Sequence, residues 1–439
     1  MCWHSRHPNR RSHDGHRIGR SLVASSWPKR RCALLDAGNP SAGDCWRVNH
    51  SSASAAVRPP FKRLSLFYAL YFALLGCIAP FWGLYLEQRG FSASEIGTLM
   101  AVFGLVRILA PNVWAWVGRH HLSPLPMIRL AGFFTLLCFS AMPWVDSFYG
   151  MALVMLTYGF FWAAMLPQYE ALTLQAVASR MEWYGRIRVW GSIGFIAAVV
   201  VLGALLEKWS MDWLPRVMWL LMLVIWLNAW TLPAAIGRSI AQAVSGGVMR
   251  CLAQRPVWLF LLMTLLLQVS FGPYYTFFSI YLEQHGYGRI PVGLLWALGV
   301  LAEVLFFWQF HRVMLRLSWR HWFSLALLLT AVRWWVIGAQ VESLSWIVLV
   351  QLFHAFSFAA MHAVSMRYLQ HYFPGPLLAS GQAVYSSLGF GLGGAIGAWL
   401  SGLAWQSMGG SVVFYAAGLI ALLAAMMAWL ALPKRLTTA

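Results

Sequence analysis

The residues that could do chemistry are few. Between Met165 and Phe195 a carboxylate, Glu170, lies near the end of one long apolar run, and two arginines, Arg186 and Arg188, open the next. Other ionisable groups inside apolar runs are Arg107, Glu303, Arg333, His354 and His362. A charge at membrane depth costs roughly 2.5–3.5 kcal/mol, so Arg107, Glu170, Glu303 and Arg333 left unpaired would together cost on the order of 10–14 kcal/mol. They have to be paired, hydrated or, for the acids, protonated. Desolvation favours the neutral form of a buried carboxyl and a neighbouring cation favours the charged form, so moving the cation loads or unloads a proton. That chemistry links two conformations to protonation with no covalent step. The competing reading is a set of static ion pairs holding helix register.

The positioning elements are helices in a membrane. The chain has 439 residues, 60% hydrophobic and only 10% charged, with a mean hydropathy of +0.63. Soluble chains carry about 25% charged residues. Apolar runs of membrane-spanning length recur along the chain, whereas the short alternating segments of a β-barrel do not. The net charge of +19 does not indicate nucleic acid. Of 23 Lys and Arg from residue 58 onward, 17 fall in alternate loops or at the helix ends beside them. That is the positive-inside bias, which places both termini in the cytoplasm. Six cysteines (Cys2, Cys32, Cys45, Cys77, Cys138 and Cys251) show no paired spacing, so no metal site or disulfide framework is implied. No nucleophile–base pair or phosphate loop suggests an enzyme.

Apolar runs predict an all-α polytopic membrane protein with twelve spans, at 64–86, 95–117, 127–145, 148–172, 188–206, 213–235, 257–281, 290–311, 320–339, 343–369, 379–404 and 411–432. The division expected is an N-terminal extension (1–57), a six-helix bundle (58–235), a cytoplasmic linker (236–256), a second bundle (257–432) and a tail (433–439). The Arg-, His- and Ser-rich extension fits a disordered tail, a transit peptide or an over-extended start with translation beginning near Val57; the last is the reading adopted. An internal repeat supports two halves. Tyr85-Leu-Glu-Gln-Arg-Gly90 returns as Tyr281-Leu-Glu-Gln-His-Gly286, 196 residues later, and Gly97, Leu99 and Ala163-Ala-Met165 recur at the same offset. Arg107 then occupies the position equivalent to Glu303.

Two six-helix halves with cytoplasmic termini resemble the major facilitator superfamily, although the loop after span 2, Gly118-Arg119-His120-His121, lacks the acidic residue of that superfamily's signature. Glu170 followed by Gly185-Arg186-Ile-Arg188-Val-Trp-Gly191 resembles the disaccharide–proton symporters of the lactose-permease type. That resemblance implies substrate contacts from Glu170, Arg188 and the aromatic Phe195. It implies coupling through Glu303, Arg333 in Ala331-Val332-Arg333, and His354. Ser357 and Gln351 stand where those symporters carry a Glu and a Lys. Over residues 61–432 the chain looks closer still to the phenylpropionate-permease-like branch, through Pro80-Phe-Trp82, Tyr184 to Ser192, Leu295 to Glu303, Val332-Arg-Trp334 and Ala360-Met-His362. That branch implies proton-linked uptake of aromatic acids.

The expectation is therefore a secondary transporter working by alternating access on a small organic solute, an aromatic carboxylic acid before a sugar, with a multidrug exporter as a further alternative. Substrate binding falls to Glu170, Arg188, Phe195, Arg333, Arg107, Trp82 and Tyr85, and proton coupling to Glu303, His354 and His362. No cofactor is expected, the proton gradient supplying the energy. The partners expected are the solute, protons and the lipid bilayer, for a monomer in a bacterial inner membrane.

Overall fold

The computed structural model describes residues 60–178, 180–233, 247–314 and 317–432; within helices, the side chains of Arg107, Arg119 and residues 310–314 lie outside the described set. The expected extension, the tail and part of the linker also fall outside it.

Among the described residues, twelve helices are long and apolar enough to cross a membrane. In chain order they are span 1 (Phe61–Gln88), span 2 (Ala93–Gly118), span 3 (Pro124–Trp144), span 4 (Phe148–Ala176), span 5 (Glu182–Lys208) and span 6 (Trp213–Trp230). Span 7 (Arg255–Gln284), span 8 (Arg289–Gln309), span 9 (Trp319–Ala339), span 10 (Leu344–Tyr372), span 11 (Gly375–Met408) and span 12 (Gly410–Ala431) follow. The described residues hold no strand. In lipid every backbone group must be satisfied within its own segment, which leaves helices as the outcome for such runs.

Local signals set the ends. Ser92 opens span 2 as a capping box: its backbone N–H donates to Glu95 Oε2 at 2.8 Å and its hydroxyl accepts from Glu95 N. Ser147 caps span 4, and Pro124 starts span 3. Gly90 and Gly286, at φ of 85° and 82°, stop spans 1 and 7. Only a residue without Cβ adopts that conformation cheaply, so the repeated Tyr-Leu-Glu-Gln-x-Gly is a helix-stop repeat. Helices overrun the apolar limits where polar residues continue the periodicity. Span 5 begins at Glu182 rather than at 188, so Arg186 and Arg188 lie inside the helix. Span 6 ends at Trp230 instead of 235.

Contacts within spans 1–6 recur among spans 7–12. Span 1 packs on spans 5 and 6, and span 7 on spans 11 and 12. Span 4 packs on spans 2 and 3, and span 10 on spans 8 and 9. The halves meet through spans 2 and 11, 5 and 8, and 1 and 7. Glycine permits the closest approaches. A Cβ on Gly97 of span 2 would lie 2.7 Å from both Ala398 O and Gly402 Cα of span 11, and one on Gly203 of span 5 would lie 2.7 Å from Arg289 O of span 8.

Polar contacts close the same end, the one bearing the 1–2, 5–6 and 7–8 loops. The Glu207 carboxylate accepts from the backbone N–H groups of Arg289 and Ile290, capping span 8 from across the halves. Arg289 Nη1 donates to Leu206 O at 2.6 Å, its Nε pairs with Glu283 at 3.0 Å, and Gln284 donates to Glu87 at 3.2 Å.

Candidate functional site

Span 9 carries Arg333 wholly buried, at 0% exposure. A cation so placed has to spend its donors on protein acceptors. Its Nη2 donates to Gln351 Oε1 at 2.6 Å, and its Nη1 to His354 Nδ1 at 2.9 Å and Ser357 Oγ at 3.3 Å. The guanidinium also lies over the rings of Tyr274, 4.2 Å away, and Trp334, 4.6 Å away. On the other side of the imidazole, His354 Nε2 is 2.6 Å from Glu303 Oε1. Three of the expected residues, from spans 8, 9 and 10, thus form one chain: Glu303, His354, Arg333. Gln351 and Ser357, the two departures from the sugar-symporter pattern, both serve as acceptors for Arg333.

Immediately after His354, span 10 widens into a π-helical turn over Ala355–Ala360, and span 11 does the same over Ser387–Gly393. Such turns recur at functional sites. Beyond the first, Phe358 stacks between His354 (5.7 Å, 18°) and His362 (6.4 Å, 8°). The His362 Nδ1 is buried with no hydrogen-bond partner.

The second cluster belongs to the first half. Glu170 and Arg188 each stand six residues inside the helix end facing the 4–5 loop, roughly 9 Å in. Arg188 Nε is 3.4 Å from Glu170 Oε1, and both side chains are 35% exposed. Tyr184, one turn before Arg188, donates its hydroxyl to the same oxygen at 3.2 Å. The guanidinium lies over Phe72 at 4.5 Å and Tyr68 at 5.2 Å, both on span 1. At 3.4 Å the ion pair is longer than the 2.7–2.9 Å of a tight charge-assisted bond, so Arg188 is held as much by aromatic faces as by its carboxylate. Tyr68, Phe72 and Tyr184 were not singled out from sequence. Their signal was the one-turn spacing of Tyr68 from Phe72 and of Tyr184 from Arg188.

The other expected substrate residues are placed differently. Phe195 is half-buried on span 5, its backbone carbonyl facing Gly76 of span 1. Trp82 and Tyr85 are enclosed within the first half, at 0% and 1% exposure. The Tyr85 hydroxyl accepts from Arg89 Nη1 at 3.1 Å, and Trp82 Nε1 has no hydrogen-bond partner. Arg107 lies in span 2, where only its backbone is described.

Known proteins share this architecture. A model described as MFS_1 like family matches residues 61–416. Over 362 residues the chain is 29% identical to a protein of Escherichia coli (strain K12) named "Probable 3-phenylpropionic acid transporter", covering 82% of this chain and 94% of that one. It is 26% identical over 337 residues to the maltose permease of Geobacillus stearothermophilus, covering 75% and 83% respectively. Among solved structures, the nucleoside transporter NupG superposes with a TM-score of 0.77 at 16% identity, covering 85% of this chain and 99% of that one. A bacterial Spinster homologue, inward-facing and unoccupied, gives 0.67 at 15% identity, covering 86% and 98%. At those identities the structures establish the fold alone: twelve helices in two pseudo-symmetric bundles.

Proposed function

The chain belongs to the MFS_1 like family and is an integral membrane transporter, and from that premise we propose that it takes up a small aromatic carboxylic acid together with protons. The observation that carries this reading is the setting of Arg188. A guanidinium loosely paired at 3.4 Å, a third exposed and lying over the rings of Tyr68 and Phe72, presents a cation that an incoming carboxylate can fork onto while its aryl group meets aromatic surface. The name of the relative from Escherichia coli points the same way.

In this reading the positively charged loops face the cytoplasm of a bacterial inner membrane, and the end sealed by Glu207, Arg289 and the glycine contacts faces outward. The monomer would then stand open toward the cytoplasm, with Glu170 and Arg188 reached from that side. Glu303 carries the proton and His354 transmits its charge state to Arg333, so loading the proton and loosening span 9 from span 10 are one event. The gradient supplies the energy.

A second reading, a sugar symporter, has its own support. Glu170 beside Arg188 and Tyr184 is also an acceptor–donor array suited to hydroxyl groups, and one relative is a maltose permease. Counterflow in proteoliposomes with phenylpropionate against a disaccharide panel separates the two. Exchange of phenylpropionate and not of sugars is expected; exchange of sugars alone overturns the proposal. Efflux driven by an imposed proton gradient would instead identify an exporter.

A further inference from the structure

The two halves repeat a corner of structure in which one residue has changed kind. In the first half, Arg89 ends span 1 and clasps the 3–4 loop. Its guanidinium donates to Tyr85 Oη at 3.1 Å and to Val145 O at 2.9 Å, and pairs with the Asp146 carboxylate. At the repeat offset of 196 residues, every acceptor of that clasp has a counterpart: Tyr281 for Tyr85, Val341 for Val145 and Glu342 for Asp146. The cation alone is replaced, by His285. The shorter side chain leaves a pocket of about 400 Å³, which His285 and Glu342 line together with Tyr281, Gln340, Ser343 and Ser411.

The second-half groups have adapted to the missing guanidinium. Tyr281 Oη turns to Ser411 Oγ at 2.7 Å and Gly338 O at 3.2 Å, and Val341 O accepts from Tyr287 Oη at 2.8 Å. Among the described residues Glu342 makes no ion pair. His285 Nδ1 is 2.8 Å from the carbonyl of Tyr281. A carbonyl only accepts, so Nδ1 carries the hydrogen and Nε2 is the atom left to take a proton.

We infer that His285 and Glu342 form a proton-operated clasp, open when the imidazole is neutral and closed when Nε2 is protonated, as the titratable counterpart of the permanent Arg89–Asp146 clasp. An imidazole gains its charge in the range where outside pH varies. The other charged and titratable groups around the corner are accounted for. Glu283 on the same span is paired with Arg289 at the start of span 8, and Glu87 of span 1 accepts from Gln284. Tyr287 of the 7–8 loop donates to Val341, the Tyr281 hydroxyl is engaged by Ser411 and Gly338, and Tyr415 of span 12 lies beside Gly338. Glu342 is therefore the acid left to meet His285. Closing the clasp ties the end of span 7 to the 9–10 loop, and that same end carries the cross-half bond from Gln284 to Glu87. Acid on this face would stiffen the rim of the second half.

Hydrogen exchange of residues 339–344 in the full chain in nanodiscs, corrected for intrinsic rates, tests this between pH 5.5 and 8. Protection in the wild type should be roughly two- to five-fold greater at the lower pH, the scale of a partly exposed ion pair. His285→Arg should be protected at both pH values, and His285→Gln and Glu342→Gln at neither, with unchanged melting as the folding check. A wild-type pH profile persisting in His285→Gln overturns the clasp. So does protection that rises with added calcium or guanidinium at pH 8, which would make the pocket a cation site.

Discussion

His354 Nε2 lies 2.6 Å from Glu303 Oε1 while its other nitrogen accepts from Arg333. A guanidinium has donors only, so the imidazole must keep its single hydrogen on Nε2, and Glu303 must accept it. A second proton on His354 would set an N–H against the guanidinium, so this arrangement suits a neutral imidazole.

Glu303→Gln preserves an acceptor for His354 and removes the titration. Counterflow, which moves no net proton, should survive. Accumulation should fall by the contribution of one proton, about 2.3 kcal/mol per 100 mV or roughly fifty-fold. Gradient-driven and counterflow uptake measured on the same vesicles check it, and accumulation persisting in the variant refutes the assignment of Glu303.

Glu170→Gln separates binding from turnover. For an acid substrate, Arg188 loses the carboxylate that neutralises it in the empty carrier. Net uptake should vanish at normal expression while binding persists. For a sugar, both should go, because the amide no longer accepts as a charged group. Arg188→Lys removes the fork and the stacking on Phe72, and should weaken binding about ten- to a hundred-fold, as for loss of charge-assisted hydrogen bonds. Isothermal calorimetry beside uptake reads both.

Arg333→Met leaves Glu303 and His354 without the cation behind them in a buried place. Removing one member of a buried charged network costs about 3–5 kcal/mol. Thermal unfolding in detergent should show that loss, and Arg333→Met with Glu303→Gln should recover part of it. A strictly additive double variant would mean that the two residues do not interact.

Gly97→Val places a side chain into Ala398 O and Gly402 Cα, both 2.7 Å from its Cβ. Neither backbone atom can swing aside, so overpacking of about 1–3 kcal/mol falls on the sealed end. Cysteine labelling from the side of the 1–2 and 7–8 loops should rise around spans 2 and 11. Gly185→Ala, where a Cβ meets nothing within 4 Å, is the control and should leave labelling unchanged.

The scaffold was legible because lipid removes alternatives: an apolar run of sufficient length is a helix, and one repeat offset places its counterpart. Glu170 and Arg188 were legible together because charges at depth need partners. Arg333, Glu303 and His354 were legible as residues requiring company, but the order of the chain, with the imidazole in the middle, depends on helix rotation that periodicity leaves open. Tyr68, Phe72 and Tyr184 were not assigned to the site because in a chain with 15% aromatic residues one more ring carries little information. The start of span 5 was misplaced because Glu182 to Arg188 is polar, and hydropathy reads polarity where the backbone simply continues. Nothing in Ala355–Ala360 marks a widened turn, which packs against spans 8 and 9.

That widened turn accommodates one residue beyond what an α-helix would place there. Return to regular winding would rotate His362 by about 100° relative to His354, unstacking both imidazoles from Phe358. Span 10 thus holds a ratchet tooth at its centre: a twist of one residue's worth resets which imidazole faces meet Phe358.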